Sequence, residues 1–126
     1  MLSTSPDGDS LMYLDVPRAL RQVGNVEALR NMLPMLQELL ERDVPQIAHL
    51  LDTEDATGAS RLLHSLKGCM PIFCTPTLCE HLEKVEQLSK SGVALEVGRA
   101  YSALMPQLQA LQLEIDRYLA LLPANE

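Results

Sequence analysis

The 126-residue chain has no tryptophan, one phenylalanine and three tyrosines. Its β-branched aliphatics are also few, with 7 valines and 3 isoleucines against 25 leucines. Strands favour β-branched and aromatic side chains, and helices favour leucine, so an all-β or parallel α/β protein is disfavoured at the outset. Basic residues are short as well: 10 Lys and Arg against 17 Asp and Glu leave a net charge of −7 with histidine neutral. Neutralising phosphates takes a surplus of Lys and Arg, so no nucleic-acid partner is expected. No run approaches the eighteen or so apolar residues needed to span a bilayer, and residues 1–10 have neither the basic region nor the apolar run of a targeting peptide, so no direct membrane contact is expected. Cysteine is limited to Cys69, Cys74 and Cys79, an odd number that fits reduced thiols in a cytoplasmic protein. A G-x-x-x-x-G-K-[ST] loop and a dinucleotide fingerprint are both missing, so neither nucleotide binding nor autokinase activity is expected.

What is present is a set of helices. Residues 1–10, rich in Ser, Asp, Pro and Gly, read as a disordered leader or linker, residues 11–122 as one domain, and 123–126 as a tail. Asp15 as N-cap, Pro17 in the first turn and Gly24 as stop predict a short helix over Val16–Val23. Asn25 then caps a longer helix through Leu29, Leu33, Leu36, Leu40, Ile47 and Leu51, in which Pro34 and Pro45 each predict a kink or break. The turn Asp52-Thr53-Glu54-Asp55 leads to a helix from Ala56 to Met70, ending at Pro71. Thr75-Pro76 opens the next, which Ser91-Gly92 stops. The last, from Ala94 to Leu122, places Val97, Tyr101, Leu104, Leu108, Leu111, Ile115, Tyr118 and Leu122 on one seam, with Pro106 off it. The expected fold is all-α: an antiparallel four-helix bundle with an additional short N-terminal helix.

On a helical wheel from Ala59, the residues Leu62, Leu63, Leu66, Cys69 and Met70 share one side, while Arg61, His64, Ser65 and Gly68 fall on the other. His64 should therefore face water in mid-helix. Gly68 lies one turn later on the same face, where glycine costs a helix about 1 kcal/mol relative to alanine and where a side chain would lean back toward the imidazole. An exposed imidazole with an unhindered ring nitrogen is a competent nucleophile near neutral pH. Lys67, with Arg61 as electrostatic support, supplies the positive charge that a transferring phosphoryl group requires.

The run His64-Ser65-Leu66-Lys67-Gly68 resembles the His-x-Leu-Lys-Gly signature of histidine-containing phosphotransfer domains, the intermediates of bacterial multistep phosphorelays. The likeness extends over about Leu11 to Leu88: Leu14-Asp15 through Leu20, Gly24-Asn25, the Leu39-to-Leu51 stretch, Asp55, and then Leu78, Leu82, Val85 and Glu86 at family-like spacing. The chain departs where the family usually has small residues followed by a Gly-Ala pair, having Cys69, Met70 and Pro71, then Cys74 and Thr75; this bears on how the active helix ends. The resemblance implies two-component signal transduction. His64 would accept a phosphoryl group at Nε2, the outer ring nitrogen, from a receiver-domain phosphoaspartate and pass it to a second receiver. Lys67 would balance charge and Gly68 would admit the partner. No cofactor is implied on this chain, Mg²⁺ being held by the receiver, and the partners are response-regulator receiver domains with a hybrid sensor histidine kinase in cis or trans. A cytoplasmic setting follows, either free-standing or as the C-terminal domain of a membrane-bound kinase, and the linker-like leader favours the second. The rival reading is a non-catalytic helical adaptor or dimerisation module. A metal site on the three cysteines and His64 or His81 is disfavoured by their five-residue spacing and the intervening prolines, and His49 and His81 lack any supporting constellation.

Overall fold

The computed structural model describes residues 11–91 and 93–123. Five α-helices follow one another: α1 (Val16–Val23), α2 (Val26–Asp52), α3 (Ala56–Cys69), α4 (Pro76–Ser89) and α5 (Ala94–Leu121). Each of the first four begins at a side-chain cap read from the sequence. Asp15 accepts from the Arg18 amide, Asn25 from Ala28, Asp55 from Gly58 and Thr75 from Leu78, satisfying donors that the first helical turn leaves free. Gly24, at φ 106°, ends α1 in a conformation that disfavours any side chain. The predicted stop at Ser91-Gly92 falls partly on Gly92, which lies outside the described residues, as do residues 1–10 and 124–126 of the predicted leader and tail.

Helices α2 to α5 close a ring, with α2 on α3, α3 on α4, α4 on α5 and α5 back on α2. Short connections make successive helices antiparallel, which is the four-helix bundle with its extra N-terminal helix. The seam of α5 is buried from Val97 to Tyr118, with Leu122 half-buried at its end. Leu29, Leu33, Leu40, Leu63, Leu66 and Leu82 are fully buried from the other helices, each worth about 1.5–3 kcal/mol of transfer from water.

Two expectations are refined. Of the kink or break expected at Pro34 and Pro45, the break does not occur; both sit inside one continuous helix. Both prolines are exposed, so each missing amide falls on the solvent side, while buried neighbours such as Leu33, Leu36, Val44 and Ile47 hold the apolar stripe in register. Helix α3 stops at Cys69 rather than Met70, and Met70–Ile72 tighten into a 3₁₀ turn ahead of Thr75. An N-terminal strap secures this turn. Leu14 and Cys74 form an isolated antiparallel bridge, with the Asp15 amide donating to Phe73 O at 2.8 Å and the Thr75 amide to Tyr13 O at 2.9 Å. Arg18 Nε donates to Pro71 O at 2.8 Å, and the buried Glu114 of α5 accepts the amides of Met12, Tyr13 and Leu14, each at 2.9 Å.

Candidate functional site

The wheel drawn for α3 matches the burial observed. Ala59, Leu63, Leu66 and Met70 are buried, Leu62 and Cys69 half-buried, and Arg61, His64, Ser65 and Gly68 exposed. The His64 side chain is 69% exposed, so one side of the ring is open to a partner. The other side is not bare. Nδ1 lies 3.4 Å from Oε2 of Glu86, a carboxylate on α4 whose side chain is 1% exposed.

Glu86 is the centre of the arrangement. It sits on the inward face of α4 with Leu78, Leu82, Val85 and Ser89, in the wedge where α4 packs on α3. Lys67 Nζ donates to Oε1 at 3.4 Å, and Lys90 Nζ stands 3.4 Å from Oε2, the oxygen that also faces His64. Ser89 Oγ donates to the Glu86 carbonyl at 2.5 Å, closing the backbone around it. Burial alone would push the Glu86 carboxyl up. The hydrogen bond and charge of Lys67, together with Lys90, more than offset that and hold it below the ordinary glutamate value. The site at rest is therefore a buried anion under two lysines, with the imidazole set against the same anion from above.

The structure brings His64 and Lys67 together at Glu86 and leaves Arg61 out; among the described residues no hydrogen bond or ion pair joins Arg61 to the cluster. A Cβ added at Gly68 would meet nothing within 4 Å, so no intramolecular contact requires glycine there. Gly68 is exposed on the same face of α3 as His64. The sequence reading named Glu86 only by its spacing and did not name Lys90. The available signal was a lone acid on the apolar stripe of α4, with a lysine four residues later.

The remaining residues stand apart. His49 is exposed on α2, and His81 Nδ1 pairs with Gln107 Oε1 of α5 at 3.1 Å. Cys74 is fully buried, and Cys69 and Cys79 half-buried; desolvation pushes all three thiols up, which disfavours the reactive thiolate. Among the described residues no group of three or more His, Cys, Asp or Glu could hold a metal ion, and no helix is long and apolar enough to cross a membrane. Beyond Gly68, the end of α3 borders an apolar groove of about 310 Å³ lined by Met32, Met35, Leu36 and Leu39 of α2 with Cys69, Ile72 and Phe73.

Fold and site define an all-helical bundle that presents an imidazole at its surface above a buried carboxylate. The family model described as Hpt domain matches residues 25–121, and the chain belongs to that family. Membership carries histidine phosphotransfer in phosphorelays and interaction with receiver domains. Comparison with curated proteins and with solved structures gives no match.

Proposed function

We propose that His64 is the phosphoacceptor of a phosphorelay, loaded from the phosphoaspartate of one receiver domain and unloaded onto the aspartate of another. The observation that carries this reading is the orientation of the ring: Nδ1 faces Glu86 Oε2 at 3.4 Å while the side chain is 69% exposed, which turns Nε2 to the outside. A proton held on Nδ1 toward the carboxylate leaves the Nε2 lone pair free. In the forward step that lone pair forms a bond to phosphorus and the phosphorus–oxygen bond of the aspartyl phosphate breaks, its electron pair leaving with the carboxylate. The product carries the phosphoryl group on Nε2 and keeps its proton on Nδ1, so the ring becomes a cation facing Glu86. Unloading reverses these changes on a second aspartate.

Lys67 balances the phosphoryl charge, and Gly68 leaves room for the partner's active site. Mg²⁺ belongs to the acidic cluster of the receiver, and this chain contributes no cofactor. The partner covers the exposed strip of His64, Ser65 and Gly68 and extends an apolar helix face into the adjoining groove, where Met32 and Met35 offer flexible, polarisable contacts. A hybrid sensor kinase, in cis or trans, supplies the phosphoryl group in a cytoplasmic setting.

Incubation with a labelled phospho-receiver tests the reading. The wild type should acquire label that is acid-labile and base-resistant, and His64→Gln should acquire none. Label persisting in that variant would overturn the assignment, and a wild type that never takes up label would favour the adaptor reading.

A further inference from the structure

Glu86 needs one cation and has two. Lys67 has Oε1 to itself, whereas Lys90 and His64 share Oε2, each at 3.4 Å. Oε2 is shut off from solvent yet accepts no well-formed hydrogen bond among the described residues. A buried carboxylate oxygen without a donor is costly, and a lysine at 3.4 Å with a 53% exposed side chain compensates it poorly. Lys90 is thus loosely held, on a flexible stem, two 3.4 Å steps from the imidazole.

We infer that Lys90 is a phosphoryl-binding residue for loaded His64, one that leaves Glu86 Oε2 when His64 is loaded, moves to the phosphoryl oxygens, and yields Oε2 to the proton on Nδ1. The inference rests on the reading of His64 given above. Charge balance supports it. At rest, with the imidazole neutral, Glu86, Lys67 and Lys90 leave one surplus positive charge. Loading adds about two negative charges on the phosphoryl group and one positive charge on the ring, which makes the loaded site neutral. Without Lys90, the loaded site would hold an uncompensated negative charge beside a buried carboxylate. The exchange also lets the charged ring tighten the long Nδ1 contact to the underbonded Oε2, so one movement improves both ends. Arg61, exposed on the same helix as His64 and tied to nothing in the cluster, does not have this position.

The experiment uses the whole chain with a labelled phospho-receiver and reads the equilibrium share of label on each protein. Lys90→Met should shift the partition toward the receiver by about fivefold, the scale of a partly exposed charge contact. Lys90→Gln should behave alike, and Lys90→Arg should restore the wild-type share to within about twofold, a rescue that a purely structural role would not produce. Lys84→Met, at an exposed position on the same helix, serves as the control for net charge. The defect should shrink as salt is added, because the contact is partly in water. A wild-type partition in Lys90→Met and Lys90→Gln, or an equal shift in Lys84→Met, would overturn the inference while leaving His64 as acceptor. Label surviving His64→Gln would instead overturn the reading beneath it.

Discussion

Among the described residues two glutamates are buried, and they are neutralised in opposite ways. Glu114 accepts three backbone amides, from Met12, Tyr13 and Leu14, each at 2.9 Å, and so fixes a segment one hundred or more residues away in sequence. Glu86 has only contacts of 3.4 Å to side chains, and one of its oxygens accepts no well-formed hydrogen bond. Short bonds to the main chain are rigid, because the donors cannot move without unfolding the strap. Long contacts to lysines and an imidazole can be exchanged at little cost. The first carboxylate is fully employed by the fold, and the second retains an oxygen that accepts no well-formed hydrogen bond.

If that contrast is sound, Glu114→Ala should be the more damaging change to stability. Removing the acceptor strands three amides, of which at least the one on Leu14 is buried, for a loss of about 3 kcal/mol. The thermal midpoint, followed by circular dichroism, should fall by about 10 °C. Glu114→Gln, which keeps one acceptor oxygen, should recover part of the loss. A fall no larger than that caused by changes at Glu86 would break the comparison.

At Glu86 the expected pattern is the reverse, with a defect in transfer and little change in stability at neutral pH. Glu86→Gln keeps the shape of the side chain but cannot stabilise the charged ring, so loading of His64 should slow by about tenfold. Both lysines it would release reach water, so unfolding free energies at pH 7 should differ by no more than about 1 kcal/mol. The pH dependence gives a second signature. Because the folded-state pKa lies below the ordinary 4.5, the ionised carboxylate contributes stability that is fully present above that value and lost as pH falls through the lower folded one. Urea midpoints of wild type and Glu86→Gln measured across this window should therefore differ most above pH 4.5 and draw together below it. Parallel curves would mean that the lysines do not hold the carboxylate as described.

Much of this molecule is written in local sequence. Asp15, Pro17 and Gly24 bracket α1, Asn25 and Asp55 open α2 and α3, and the wheel from Ala59 puts His64 in solvent and Leu63 and Leu66 in the core. Each of these depends on residues within a turn or two. The features that escaped depend on how helices are set against one another. Glu86 reaches His64 only because α4 lies in the groove beside α3, and Lys90 follows from that placement; neither distance has a local determinant. Pro34 and Pro45 do not break α2, because interior proline is costly in general but exposed proline on a helix held by its opposite face is tolerated. The strap escaped for a similar reason. Glu114 stands next to Ile115 at the edge of a leucine seam, and no local pattern marks its role, which depends on three amides from a distant part of the chain.

Gly68 extends the contrast as a residue for which no contact within the fold requires glycine, and it predicts the smallest effect. Nothing lies within 4 Å of a Cβ placed there, and its backbone is helical, so the fold gains nothing from glycine and loses backbone entropy to it. Gly68→Ala should therefore raise stability, by about 0.5–1 kcal/mol, with a matching rise in the urea midpoint. Gly68→Leu should keep the helical circular dichroism of the wild type and still fail to take label from a phospho-receiver, since the added side chain leans toward His64 on the exposed face. A destabilised alanine variant would mean that the glycine serves packing after all. Normal labelling of the leucine variant would mean that the partner approaches His64 from the side of Arg61 rather than across Gly68.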